Sequence, residues 1–403
     1  MLNLISLFIT LGIIISSTTT FSQTLNPFYK SIVDSSSSDS IFSYLEEFEN
    51  IGIKEVGTKE LENAADWLIS KYSSYGYTNI QRDTFFYGGD TLFNIIVTKQ
   101  GITCPDKYLI VDAHYDTKTG PGTNDNGSGV AVVLETARLL QNINTKYSIR
   151  FINFSAEEEG LVGSYHYVNN VVVPQNMDIL LVFNIDEVGG VNGMNNDTIK
   201  CERDQYTPTN NNAASYAYTD TLADLTQLYS NLLTAITHAY GSDYVPLQEN
   251  GEIITGFFEY NHSPYPHSIY DSLINLDTSY VFEIAKASIG AVLYFSDACD
   301  SASSCDSTCD STSNIKIFQS RERIDIYPNP ARYEITIELN GINSRETGIK
   351  LYNSFGQIII SRNIINSNNK SVFLDLKDFA PGIYYIEIQS EKERIIKRVA
   401  IVK

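Results

Sequence analysis

Along the middle of the chain, short unbroken apolar runs alternate with longer stretches in which apolar residues recur every three or four positions. The runs beginning at Tyr108, Ser148–Phe154 and Ile179–Ile185 are rich in Val, Ile and Phe and bounded by polar residues. Such runs predict strands covered on both faces. The periodic stretches predict helices over Glu60–Tyr75, about 129–140, about 161–169, Leu222–Tyr240 and Thr278–Phe295. Two strands are expected near Ile80–Phe86 and Phe93–Lys99, and another at Ile253–Phe258, while Asp34–Ser40 reads as a polar approach to the first folded element. Strand and helix in alternation predict an α/β domain, a mixed and mostly parallel sheet between helices.

The pattern changes after Ala298. From Cys299 to about Asn314 there is almost no apolar residue, which reads as a linker. Short alternating runs then follow, among them Tyr333–Leu339, Ser371–Leu376 and Gly382–Ile388, separated by Gly, Pro and Asn. They predict a small all-β sandwich. The expected order is a signal peptide at 1–22, an α/β domain at 23–298, a linker at 299–320 and a sandwich at 321–403.

Charge separates the two parts. The chain of 403 residues has a net charge of −20, yet residues 321–403 carry 13 Lys and Arg against 10 Asp and Glu. The body is therefore strongly acidic, which argues against nucleic acid as a partner. The apolar start, Met1–Ile15 followed by Ser and Thr, predicts a secretory signal cut near Ser22 and Gln23. It is shorter than the ~20 apolar residues of a membrane span, and no other segment is expected to cross a membrane. Five cysteines in an exported chain leave at least one unpaired or paired between chains. Local disulfides in the linker are expected, and Cys104 with Cys201 is one arrangement open to the rest.

Chemistry collects just beyond the three apolar runs, where ligands gather in open α/β sheets. The first leads to His114 and Asp116, the second to Glu157, Glu158 and Glu159, the third to Asp186 and Glu187. Between the first two lies Gly120-Pro-Gly-Thr-Asn-Asp-Asn-Gly-Ser-Gly129, with Asp125 at the entrance of a helix. Alone, each has a plainer reading. Asp125 or Ser128 can cap the helix, and acidic residues at 157–159 suit a helix N-terminus. The Asn and Asp of the Gly-rich loop also suit calcium. Together, so many carboxylates would repel one another unless cations sat among them. His267, with His262 nearby, is the natural source of a second imidazole.

The ordered set His114-x-Asp116, Gly122-x-x-Asp125, Glu157-Glu158-x-Gly-Leu-x-Gly-Ser164, Asn184-Ile-Asp186 and Pro266-His267-x-x-x-Asp271 resembles the zinc-dependent exopeptidases with two co-catalytic metals. These include bacterial leucyl aminopeptidases and glutamate carboxypeptidase. The resemblance covers roughly Ile41 to Phe295. It implies two Zn2+ per chain bridged by Asp125, with His114 and Asp186 on one ion and Glu158 and His267 on the other. It further implies Glu157 as general base, Asp116 as the partner of His114, and peptides as substrates. Ser242-Asp-Tyr244 departs from the family's Ser-Asp-His segment. Within the superfamily a carboxypeptidase or a single-zinc glutaminyl cyclase is the alternative; outside it, a non-catalytic calcium-stabilised adhesive protein. Tyr327-Pro-Asn-Pro-Ala331 and Gly382-Ile-Tyr-Tyr-Ile-Glu-Ile388, with a basic end, resemble the sorting domains of the type IX secretion system. That implies the secretion machinery as a partner, export through periplasm and outer membrane, and a secreted or cell-surface location.

Overall fold

The computed structural model describes residues 23–301, 305, 308 and 309, and then 323–327, 331–340, 346–353, 358–365, 371–377, 379–380, 382–389 and 394–401. The expected signal peptide, and most of the expected linker, lie outside the described residues. The chain divides at Thr312 and Ser313 into two units.

Three capped helices open the first unit: α1 (Pro27–Val33), α2 (Ser38–Ile51) and α3 (Lys59–Ser74). Asn26, Ser37 and Thr58 each accept a main-chain N–H in the first turn, so the Ser-rich segment expected to be a mere approach supplies a helix cap. Behind that cap Ile41, Tyr44, Leu45 and Phe48 turn one face of α2 to the core. A hairpin of β1 (Ile80–Tyr87) and β2 (Asp90–Lys99) follows, then β3 (Cys104–His114) and α4 (Gly127–Leu140). Next come the two-residue β4 (Asn144–Thr145), β5 (Tyr147–Phe154), α5 (Val162–Tyr167), a π turn at Val168–Val172 and α6 (Val173–Gln175). The unit continues through β6 (Asp178–Ile185), β7 (Thr198–Arg203), α7 (Asn212–Tyr229), β8 (Leu233–His238), α8 (Tyr244–Glu249) and β9 (Ile254–Glu259). It closes with α9 (Thr278–Phe295) and β10 (Ala298–Cys299), which pairs with β4.

Eight strands form one sheet in the order β1-β2-β5-β3-β6-β9-β7-β8. Its centre, β5-β3-β6-β9, is parallel, whereas β1, β2 and β7 join antiparallel. The unbroken apolar runs follow from burial on both sides. Leu109 and Val111 of β3 pack with Phe151, Phe183, α4 and α9 on one face. Ile110, Ile152, Phe154 and Val182 pack with Tyr167, Tyr244 and Leu247 on the other. No helix among the described residues is long and apolar enough to cross a membrane.

Three expectations need correction. The helix expected at Leu222–Tyr240 is α7 ending at Tyr229, followed by strand β8. Ser230 ends the helix in an extended conformation, and Leu233-Thr-Ala-Ile-Thr-His238 pairs with β7 at the edge of the sheet. Strand β7 was not expected; Ile199 and Cys201 are its buried apolar residues, with Glu202 buried beside them. Cys104 pairs with Cys309, Cys299 pairs with Cys305, and Cys201 is a buried free thiol. Cys104 and Cys201 lie on strands separated by β6 and β9. At ~4.8 Å per strand, that is too far for the Cα separation of a disulfide, at most about 7 Å.

The second unit has a three-stranded sheet of β11 (Arg323–Tyr327), β12 (Glu334–Asn340) and β15 (Ser371–Asp375). A four-stranded antiparallel sheet holds β13 (Glu346–Asn353), β14 (Ile358–Ile365), β16 (Gly382–Gln389) and β17 (Arg394–Ile401). Ile335 and Ile337 from the first sheet share one core with Leu351, Ile386 and Val399 from the second, which makes a sandwich.

Two features of the first unit give tests. Gly129, in the first turn of α4, packs against the end of β6; a Cβ there would lie 2.3 Å from the Ile185 carbonyl oxygen. Gly129→Ala gains about 1 kcal/mol of helix propensity but forces overpacking of about 1–3 kcal/mol, so thermal unfolding is expected at a temperature several degrees lower. Lys54 is fully buried. Its Nζ donates to the carbonyls of Phe48 (3.1 Å), Gly52 (2.6 Å) and Pro121 (2.8 Å). Burial lowers its pKa to about 7, against the opposing pull of Asp271 and Glu49. Between that value and the ordinary 10.5 the unfolded chain binds the extra proton, so this group's contribution to stability rises with pH across that window. Urea midpoints of Lys54→Met, measured from pH 7 to 9, are expected to rise less with pH than those of the parent.

Candidate metal centre

Parallel pairing places three strand ends side by side. His114 at the end of β3 stands opposite Phe154 of β5, and Asp112 stands opposite Asn184 of β6. The residues just beyond, Asp116, Glu157, Glu158 and Asp186, therefore reach one cleft. Asp125 comes from the loop before α4. Asn126, not Asp125, caps that helix, accepting the Gly129 N–H at 2.9 Å. Ser128 donates instead to the Asn124 carbonyl. The Asp125 carboxylate is thus left to face the cleft.

Its two oxygens meet two histidines. Oδ1 lies 3.3 Å from His114 Nε2 and Oδ2 lies 3.3 Å from His267 Nε2. His114 Nε2 is also 3.3 Å from Asp186 Oδ1, and His267 Nε2 is 2.8 Å from Glu158 Oε2. Two groups result, His114–Asp125–Asp186 and Asp125–Glu158–His267, each with ligand atoms within 4.8 Å of one another. Of the first group all three members are buried, whereas His267 is 53% exposed.

Neighbouring groups orient these side chains. His114 Nδ1 lies 3.2 Å from the main-chain carbonyl of Asp116, while the Asp116 carboxylate is 3.7 Å away. With Nδ1–H given to that carbonyl, Nε2 faces Asp125 and Asp186. The Asp116 carboxylate instead accepts the N–H of Glu157 (3.1 Å) and of Glu158 (3.2 Å). Ser242 donates to Asp186 Oδ2 at 2.6 Å, leaving Oδ1 toward His114. Tyr244, at the departure from the family segment, is buried, donates to Glu202 at 2.8 Å and accepts the Tyr240 N–H at 2.9 Å. His262 lies apart from both groups, against Lys200 and Phe258. Glu159 is exposed and meets Tyr87.

The electrostatics are those of a site short of positive charge. Burial, then the nearby Asp186 and Asp243 against the counter-pull of His114, pushes Glu157 up to about 10. Burial and Asp125 raise Glu158 to about 7. Burial, Asp125 and Asp186 raise Glu187 to about 10. Against the cost of burial, Asp186 and Glu157 hold His114 well above its usual value. Asp125 is lowered despite burial, because His114 and His267 both hydrogen-bond to it. Glu158 Oε1 is buried with no protein partner. Imidazole nitrogens mixed with carboxylate oxygens, one oxygen unclaimed, fit zinc.

Some residues here were not singled out from the sequence. Asp112 accepts from Asn184 at 2.8 Å, but inside an apolar run its only signal was a lone acid. Glu187, which the sequence did place beside Asp186, takes a left-handed φ of 44°. Burial and then Asp186 and Glu187 push the Tyr240 hydroxyl far above its usual value; its ring packs edge-on to Phe258. Glu259 accepts from Asn124 Nδ2 and the Gly190 N–H. Nothing in spacing pointed to the last two.

Over 168 residues the chain is 34% identical to aminopeptidase YwaD of Bacillus subtilis (strain 168), covering 41% of this chain and 35% of that protein. The chain spans about a third of the length of the curated relatives it matches first. The Legionella pneumophila LapA aminopeptidase shares the fold, with a TM-score of 0.59 at 21% identity over 71% of this chain and 77% of that one. So does a Bacteroides thetaiotaomicron glutaminyl cyclase bound to N-acetylhistamine, with a TM-score of 0.53 at 19% identity over 64% and 97%. Residues 325–402 match the secretion system C-terminal sorting domain and residues 94–292 match peptidase family M28. The chain accordingly belongs to peptidase family M28 through its α/β unit and carries a C-terminal secretion sorting domain.

Proposed function

We propose that the α/β unit is a secreted aminopeptidase that hydrolyses the N-terminal peptide bond of peptides with two zinc ions. The observation that carries this reading is the sharing of Asp125 between two three-residue groups, with Glu157 beside them. His114 and Asp186 would hold one ion, Glu158 and His267 the other, and Asp125 both. When bound, a zinc pair lowers the pKa of water and polarises a carbonyl. Membership in peptidase family M28 and the likeness to a Bacillus subtilis aminopeptidase support the reaction class.

The chain's own groups do the rest. Glu157 takes the proton of the attacking water and returns it to the departing amine as the C–N bond breaks. Its position is fixed by the N–H that it donates to Asp116. Because carboxylates line the cleft, a protonated substrate amine is drawn to it, which favours attack at a chain's beginning. The sorting domain directs export through the type IX machinery to the cell surface or medium, an assignment supported by its family match.

Three measurements test this. Purified protein is expected to contain about two zincs per chain; calcium alone would instead favour an adhesive role. Glu157→Gln is expected to keep its metal and lose turnover on aminoacyl-p-nitroanilides by a factor of about 10²–10⁴. Retained turnover in that variant would remove Glu157 from its role. Cyclisation of glutaminyl peptides, with no release of N-terminal residues, would replace the aminopeptidase reading by the cyclase one.

A further inference from the structure

We propose that Asp271 is a positioning residue: its carboxylate grips the main chain at Asp125 and thereby sets the spacing between Asp125 and His267. The inference rests on the two-zinc reading above.

Asp271 is 3% exposed and lies four residues after His267. Its Oδ1 accepts the N–H of Asn124 at 2.8 Å, and its Oδ2 accepts the N–H of Asp125 at 3.0 Å. One carboxylate thus holds two consecutive amides of the loop that carries the shared Asp125. Its own N–H closes the turn onto the Ser268 carbonyl at 3.0 Å, and its carbonyl accepts the Thr123 N–H at 3.2 Å. The two loops touch main chain to main chain as well, since a Cβ on Gly120 would lie 1.9 Å from the Ser268 oxygen. His267 needs such a hold. Its side chain is half exposed and its φ is 54°, so the turn that bears it, rather than core packing, sets where Nε2 points.

The site uses the same device a second time. Asp116 holds the consecutive amides of Glu157 and Glu158 through its two oxygens. In both cases an acceptor that binds no metal itself fixes the main chain of residues that face the cleft. Two amides held by one carboxylate fix a stretch of main chain, and partners that orient metal-facing residues set affinity by factors of about 10–100.

A purely structural role predicts something different, and Glu49 supplies the control. Glu49 joins the same two loops by accepting from the Thr123 hydroxyl and the Leu273 N–H, yet it touches neither Asp125 nor its amide. Zinc affinity of the full chain, by competition with a chelator, and thermal unfolding of the metal-free protein are to be compared for the parent, Asp271→Asn and Glu49→Gln. The inference expects Asp271→Asn to weaken zinc about 10–100-fold and Glu49→Gln to leave it nearly unchanged. Asp271→Ser, which keeps a short acceptor, is read the same way if Asp271→Asn yields no folded protein. Zinc held as tightly by the Asp271 variants as by the parent overturns the inference while leaving the two-zinc reading intact. So does an equal weakening in the Asp271 and Glu49 variants that merely follows their loss of metal-free stability. A parent that binds no zinc overturns the reading and the inference together.

Discussion

Buried carboxylates crowded at the ends of parallel strands are the constraint around which this unit is organised. Asp125 turns one oxygen to each of two histidines, and Asp186, Glu157, Glu158 and Glu187 stand close enough to raise or oppose one another's ionisation. Two imidazoles cannot balance so many acids. The cluster is tolerable only because the sheet and its loops hold it in place and because its donor set suits divalent cations.

The holding is done by ordinary means. Helices cover both faces of the central strands, so β3, β5 and β6 are rigid up to the residue where the chemistry starts. Beyond that point main-chain N–H groups are gripped by side chains: Asp116 for Glu157 and Glu158, Asn124 for Gly189, Glu259 for Gly190. Lys54, buried in a cage of carbonyls, ties the Pro121 turn to the end of α2 through its Nζ. Rigidity in loops that lack helical or sheet bonding comes from these charged acceptors and donors.

The fold is shared by proteins described as aminopeptidases and by one described as a glutaminyl cyclase, so architecture does not select the reaction. Side chains at the cleft do. Tyr244 is an example of a buried polar group satisfied from two sides: its hydroxyl bridges Glu202 and the Tyr240 N–H inside the core. The neighbouring Ser242 still reaches Asp186.

Much was legible in the chain itself. Val, Ile and Phe clustered in short runs specify doubly covered strands, because only burial on both faces makes such runs favourable. Acid and imidazole residues placed just past three of those runs specify a ligand-binding edge. Where sequence fell short, the cause was contact between distant segments. The boundary of α7 was misplaced because apolar residues at helical spacing ran on into an edge strand. The pairing of Cys104 with Cys309 joins residues 205 positions apart, a contact that local pattern does not encode. Asp271, in a loop, and Glu259, at the end of β9, are single acids; their work is visible only once main-chain amides far away in sequence arrive beside them. Sequence therefore determined which residues could meet a metal, through periodicity and side-chain chemistry. Tertiary structure decided how they are oriented, because hydrogen bonds between loops remote in sequence fix directions that no local propensity can specify.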